Sequence, residues 1–220
     1  KAPNFNVDKA TVVRAAVQNA DGVFSDVVSQ TYFVTTSNLA QYQDLTVVSL
    51  VTNPENLFDP DTGIYVTGNQ YLDWKNSDAY NPDKSVWDTD NLTNYFSKGK
   101  EWEREAALTV FQDGKAVVDQ NIGIRIKGAS SRNSAQKNFN LYARSTYGTS
   151  KISYPLIPDN YAADGTLIDQ YDSVSLRAVS EEGRLRDGFS QKLLTDRTNL
   201  TKQDMQSCVV FLNGEYWGLY

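Results

Sequence analysis

The 220-residue chain contains no histidine and a single cysteine, Cys208. The absence of histidine excludes Ser/His/Asp and Cys/His catalysis, the common histidine metal sites and the usual general base near neutral pH. With one cysteine, neither an internal disulfide nor a zinc cluster can form. Because Cys208 lies in an apolar run that ends at Leu212, we expect a buried thiol rather than a reactive one.

Long hydrophobic runs and excess positive charge are also missing. No stretch approaches the ~20 apolar residues needed to cross a bilayer, so no membrane span is predicted. The net charge of −6 argues against binding to nucleic acid or to an anionic membrane. A low-cysteine, acidic composition is typical of bacterial extracellular proteins. We expect an extracellular or cell-surface location, with the signal peptide outside this sequence, and a cytoplasmic origin is the alternative.

The pattern of apolar residues predicts an α+β fold that is mainly antiparallel β with one principal helix. Strict alternation places Ile122, Ile124 and Ile126 on one side of a strand. Asn213-Gly214 is a two-residue hairpin signal between an apolar run and an aromatic return arm at the end of the chain. Since the chain stops within this arm, we expect it to be the N-terminal portion of a longer protein whose missing part holds essential chemistry.

The principal helix is predicted over about residues 185–195. Its apolar stripe has i, i+4, i+8 spacing and consists of Leu185, Phe189 and Leu193. Asn199 is expected to stop the helix in a left-handed conformation. Arg186 and Asp187 open the helix on the side away from the stripe. They either line a cleft or are ordinary solvated charges at a helix start.

The first residues are predicted to form a separate, incomplete unit. We interpret residues 1–36 as a partial immunoglobulin-like β segment, a piece of a β-sandwich, residues 37–44 as a linker and residues 45–220 as a second domain. The strand patterns of the first unit resemble the closing strands of the immunoglobulin-like module at the end of chitobiase-type enzymes. Two strands bury too little surface to be stable alone. We therefore expect this unit to pack against the rest of the chain or against a neighbouring chain.

One turn combines the groups that bind phosphate. Gly128–Ser134 joins two well-patterned strands and contains a glycine, three hydroxyl side chains and a guanidinium. Lys137 has the same strand parity as Phe139 and Leu141, so its amine should point inward, where an unpaired ammonium is costly. A phosphate or a carboxylate is the expected partner. The alternative is a polar hairpin with a lysine whose amine reaches solvent.

Four blocks in order resemble the spore coat protein CotH kinase family. They are SLVTNPENLFDPDTGIY at 49–65, GIRIKGASSRNSAQKNFNLYAR at 123–144, LRDGFSQKLL at 185–194 and VVFLNGEYWGLY at 209–220. The second and fourth blocks carry most of the resemblance. It implies an atypical, secreted-pathway protein kinase fold that uses ATP and Mg²⁺ and transfers phosphate to secreted or surface proteins, such as cell-surface or coat proteins.

The resemblance also implies roles for individual residues. It places Ser130, Ser131, Arg132 and Lys137 at the nucleotide phosphates, with Lys137 as the kinase lysine, and it places Arg186 and Asp187 along the cleft. The family often has a second lysine where this sequence has Gln136. Its metal-binding and catalytic aspartates follow the NGEYWGLY block. No catalytic or metal-binding residue is therefore assigned in this chain, and we expect the chain alone to be inactive.

Two non-catalytic functions are the alternatives. The first is a relative of the kinases used for cell-surface adhesion or scaffolding, which the N-terminal immunoglobulin-like strands would suit. The second is a carbohydrate-binding module, suggested by aromatic residues such as Trp74 and Trp87 in the polar stretch 66–100. The sequence leaves these alternatives open, and it does not identify the protein that would accept phosphate.

Overall fold

A computed structural model describes residues 8–34, 40–84, 92–178, 186–194 and 203–220. Within these ranges the strands are β1 Thr11–Ala15, β2 Val28–Tyr32, β3 Thr46–Val51, β4 Arg104–Gln112, β5 Lys115–Lys127, β6 Asn138–Tyr142, β7 Ile152–Ser153, β8 Gln170–Tyr171, β9 Ser173–Leu176, β10 Cys208–Leu212 and β11 Glu215–Leu219. The described α-helices are α1 Pro54–Phe58, α2 Asn69–Lys75 and α3 Arg186–Leu194. This content agrees with the predicted α+β class.

Seven strands form the central sheet, in the order β11-β10-β3-β4-β5-β6-β9. Its neighbours pair antiparallel except for β10 and β3, which run parallel. The sheet is therefore mainly antiparallel, as predicted, and the parallel pairing of β10 with β3 makes it mixed. Every residue of β3 and β10 is buried, as is typical of parallel strands covered on both faces. For this reason both strands are rich in apolar residues and do not alternate, with Ser49 as the polar residue within β3.

The sheet curls until β11 approaches the start of β6. Beyond the end of β11, the Tyr220 hydroxyl donates to the Lys137 carbonyl at 2.9 Å. The Gln136 side chain donates to the Leu219 carbonyl at 3.0 Å. The inner face carries the main core, which includes the fully buried Ile122 and Phe139. The predicted alternation of β5 is thus confirmed, and its isoleucines point into the curl.

The N-terminal hairpin of β1 and β2 covers part of the outer face. The ring of Phe33, just after β2, lies 5.4 Å from the ring of Phe111 and 4.9 Å from that of Phe211, in edge-to-face geometry. The hydroxyls of Thr31 and Ser49 form a buried hydrogen bond of 2.8 Å. Described residues of the first unit therefore pack on the sheet, as predicted. The proposed boundary near residue 36 lies outside the described residues.

The predicted apolar stripe of the principal helix is wrong in the described residues. Phe189 is 64% exposed and Leu193 is 47% exposed, while Gly188 is buried. A Cβ atom on Gly188 would lie 1.6 Å from the Met205 sulfur, so this face of α3 is the one that packs closely. The helix therefore places its glycine, and not its apolar side chains, against the Met205 side chain. Leu185, Thr195 and Asn199 lie outside the described residues.

Replacing Phe33 by Ala should lower the free energy of unfolding by about 1–3 kcal/mol, because the ring packs on two aromatic side chains of the sheet. Urea unfolding measures the change. Phe24→Ala is the matched control, since Phe24 is 64% exposed and its loss should change stability by less than about 0.5 kcal/mol. Equal effects of the two substitutions would show that the hairpin does not stabilise the sheet.

Candidate functional site

The turn between β5 and β6 begins at a glycine that no other residue could replace without strain. Gly128 has a φ of 117°, and a Cβ atom there would lie 2.1 Å from the Ser131 hydroxyl oxygen. A 3₁₀ turn follows over Ser130–Asn133. The Asn138 side chain, at the start of β6, donates to the Ser131 hydroxyl at 3.0 Å. The start of β6 is therefore tied to the middle of the turn.

The guanidinium of Arg132 is buried and binds backbone carbonyls. Its Nε donates to the Gly128 carbonyl at 2.6 Å, which closes the turn on itself. Its Nη1 donates to the carbonyls of Tyr95 at 2.9 Å and Ser97 at 3.0 Å. Burial lowers the pKa of Arg132. This side chain ties the turn to residues 94–97, more than thirty positions earlier in the chain.

Lys137 points inward, as its strand parity predicts, and is 5% exposed. Its ammonium donates to the carbonyls of Arg132 at 2.8 Å and Ser134 at 2.9 Å. The Nζ atom also lies 4.0 Å from the centre of the Tyr95 ring and 5.2 Å from that of Tyr65. Two carbonyls and two ring faces thus surround the amine where the sequence predicts a phosphate or a carboxylate.

The hydroxyl of Tyr65 connects the turn to the loop after α1 and to β11. The Tyr65 hydroxyl donates to the Ala135 carbonyl at 2.8 Å. It accepts hydrogen bonds from the Lys137 amide at 3.0 Å and from the Trp217 indole at 3.1 Å. The donor and the two acceptor positions of one phenol are therefore all used. They connect the loop after α1, the turn and β11.

The four residues assigned to the phosphates lie in one small region, with different environments. Ser130 is exposed, and Ser131 is half-buried and accepts the hydrogen bond from Asn138. Arg132 and Lys137 are buried and directed at backbone carbonyls. The structure therefore brings the predicted residues together, while their contact with a nucleotide stays a prediction.

A cavity of about 460 Å³ lies between the inner face of the sheet, α3 and residues 203–207. Asp187, at the start of α3, lines this cavity and forms an exposed ion pair with Arg177. Arg186 is also exposed but does not line it. Of the two residues predicted along a cleft, the structure thus places Asp187 at a cavity wall, and a functional role for either residue stays a prediction.

Sequence reasoning missed a buried carboxylate on the outer face of the sheet. Glu103 accepts two hydrogen bonds from Arg144, at 2.7 and 3.0 Å, and one from the Tyr147 hydroxyl at 3.1 Å. The Arg125 Nε lies 3.4 Å from the same carboxylate. Gly123 makes the room, because a Cβ atom there would lie 2.5 Å from the Glu103 carboxylate oxygen. A glycine within a strictly alternating strand was the available signal.

Comparison with known proteins supports the resemblance in the second half of the chain. The model of the family described as CotH kinase protein matches residues 124–220. The predicted resemblance is therefore confirmed for this part, which contains the turn, Lys137 and the β10–β11 hairpin. No curated protein and no solved structure matches the chain. In the described ranges, no helix is long and apolar enough to cross a membrane.

Tyr65→Phe should lower the free energy of unfolding by about 1–3 kcal/mol, because the Ala135 carbonyl, the Lys137 amide and the Trp217 indole each lose a partner in a half-buried site. Thermal and urea unfolding measure the loss. Tyr80→Phe removes a hydroxyl from a 38% exposed ring and should have little effect. If both variants unfold like the wild type, the Tyr65 hydroxyl does not hold these elements together.

The stability of the protein should rise with pH above about 8 through Lys137. Burial lowers the pKa of this lysine from 10.5 to about 8, although its two carbonyl partners favour the charged form. Below pH 8 the lysine is protonated in both states. Between the two pKa values the unfolded chain binds a proton that the folded chain does not, so the free energy of unfolding increases with pH.

Urea unfolding at several pH values, kept below the range of tyrosine ionisation near pH 10, measures this increase. Lys137→Met should abolish it, whereas Lys115→Met, which changes an exposed lysine, should retain it. A slope that survives in Lys137→Met belongs to another group.

Proposed function

We propose that this chain contributes to a CotH-like atypical protein kinase that transfers the γ-phosphate of ATP to a hydroxyl of a secreted or surface protein. In that reaction the hydroxyl loses its proton and ADP leaves. The observation that carries the proposal is the family match over residues 124–220, because it includes the turn and all of its basic side chains. An extracellular or cell-surface location belongs to the same proposal.

The turn suits a phosphate site because hydrogen bonds from two buried cations already hold its backbone in place. Arg132 and Lys137 donate three hydrogen bonds to carbonyls of the turn itself. Two more from Arg132 tie the turn to the carbonyls of Tyr95 and Ser97. The exposed Ser130 hydroxyl and the adjacent Ser131 are then presented from a fixed backbone. Preorganised donors stabilise transferred charge without reorganisation during the reaction. For either cation to contact a phosphate directly, it would exchange a carbonyl partner for a phosphate oxygen.

Mg²⁺ would accompany ATP and would neutralise the charge that develops during transfer. Among the described residues, no group of three or more Asp, Glu or Cys side chains could hold a metal ion. We therefore assign no metal ligand here. The proposal for this chain concerns the nucleotide and the turn.

The carbohydrate-binding alternative rests on Trp74, whose environment the structure describes. Its ring lies 5.6 Å from the ring of Tyr71 and 5.2 Å from that of Tyr80, tilted in one case and edge-to-face in the other. These rings pack on one another within the same segment. Trp87 lies outside the described residues. The geometry therefore gives the kinase proposal more support than the carbohydrate one.

Titration calorimetry with ATP and Mg²⁺ tests the proposal. We expect the wild type to bind ATP and Ser130→Ala to bind it more weakly without loss of stability, because this hydroxyl is exposed. Lys137→Met should weaken ATP binding and also lower the melting temperature, since the carbonyls of Arg132 and Ser134 lose their donor. Lys115→Met serves as the control for removing a lysine charge.

The outcomes separate the nucleotide role from a purely structural one. A wild-type protein that does not bind ATP contradicts the proposed function. Unchanged ATP binding in Ser130→Ala and Lys137→Met, with a large stability loss in the latter, would show that the turn is structural. Binding of glycans on an array in place of ATP would favour the carbohydrate alternative.

A further inference from the structure

The cavity beneath α3 has an apolar floor made by the curled sheet. Its volume of about 460 Å³ falls in the range of small-molecule sites, about 300–1,000 Å³. The floor consists of aliphatic side chains from four strands, including Val48, Val110, Leu141, Val174 and Leu176. An aromatic ring can be desolvated against such a surface, whereas a highly charged group cannot.

Two cations lie at the rim of the same cavity. Lys127, the last residue of β5, borders the cavity at the end of the sheet. Its side chain has the opposite parity to Ile126, and its amine donates to the neutral hydroxyl of Ser175 at 2.8 Å. Arg177 follows β9, also lines the cavity, and its side chain is 57% exposed. Burial first, and then the positive charge of Arg177, lower the pKa of Lys127. The two positive charges are therefore close enough to repel each other.

The partners of these cations can be exchanged at little cost. The ion pair of Arg177 with Asp187 is formed by side chains that are more than half exposed, and such pairs contribute little stability. Ser175 is an exposed neutral acceptor. Arg132 and Lys137 differ in this respect, because both are buried and donate to backbone carbonyls. If either cation turned to a phosphate, those carbonyls would be left without a donor.

The rim of the cavity is connected to the turn. Lys127 directly precedes Gly128 in the chain. The Asn138 side chain donates to the Ser131 hydroxyl at 3.0 Å and accepts from the Ala178 amide at 2.7 Å. One amide side chain thus bridges the turn and the residue that follows Arg177. A ligand with a ring and a polyanionic tail could reach from the floor of the cavity past both cations to the turn.

We propose that this cavity binds the ring of a nucleoside polyphosphate and that Lys127 and Arg177 contact its phosphates. The inference rests on the proposed function, and it names the ring site and two phosphate contacts that the family resemblance does not assign to these residues. In this arrangement Arg132 and Lys137 are positioning residues for the turn. Asp187 releases Arg177 when the phosphates bind.

Calorimetric titration of the intact chain with ATP, inorganic triphosphate and adenosine tests the two halves of the site separately. Lys127→Met and Arg177→Met should each weaken ATP and triphosphate binding at least about tenfold. Both should leave adenosine binding and the melting temperature unchanged. Val174→Phe fills the floor of the cavity, and should weaken ATP and adenosine binding but leave triphosphate binding intact. Lys115→Met is the charge control.

Gln191→Trp narrows the cavity from α3 and replaces Val174→Phe if a melt shows that the latter does not fold. ATP binding that is unaffected by Lys127→Met and Arg177→Met but weakened by Ser130→Ala would overturn this inference and leave the proposed function standing. Suppose that Lys127→Met and Arg177→Met lose triphosphate binding, while Val174→Phe and Gln191→Trp bind ATP like the wild type. That result would overturn the ring site. A wild-type protein that binds none of the three probes would overturn both proposals.

Discussion

The buried ammonium of Lys137 is the constraint on which this end of the molecule depends. A charge that is 5% exposed has to be compensated inside the protein, because its desolvation costs several kcal/mol. The carbonyls of Arg132 and Ser134 and the rings of Tyr95 and Tyr65 provide that compensation. Each of these groups must therefore be held in place. The turn, the segment around Tyr95 and the loop after α1 become one unit around a single charge.

The same residue also fixes the curl of the sheet. The Lys137 amide donates to the Tyr65 hydroxyl, and the Lys137 carbonyl accepts from Tyr220, just past β11. Strand β11 lies at one end of the strand order and β6 is second from the other end, so these contacts close the sheet across the four strands between them. Closure creates an interior with two zones. One is filled by the core, and the other is the cavity beneath α3.

Much of this arrangement could be predicted from local patterns. Alternation gave the buried isoleucines of β5, parity gave the inward direction of Lys137, and Asn213-Gly214 gave the hairpin, with φ values of 51° and 85°. The partners of Lys137 could not be predicted, because parity fixes the direction of a side chain and not what it meets there. Tyr95 is 42 residues away in the sequence (137 − 95). The apolar stripe predicted for α3 was wrong because the residue of the helix in close contact is Gly188, and a glycine adds nothing to an apolar pattern.

Basic residues near the turn therefore belong to two physical classes that sequence alone does not separate. Arg132 and Lys137 have buried charges whose acceptors are backbone carbonyls, so removing either charge disrupts the fold around it. Lys127 and Arg177 have partners that are exposed and replaceable, so a phosphate could take the place of those partners without exposing a buried dipole. A cation that binds a ligand has to give up its resting partner when the ligand arrives. By that criterion the rim of the cavity is better suited to exchange with phosphate, and the interior of the turn is better suited to hold the backbone that presents Ser130.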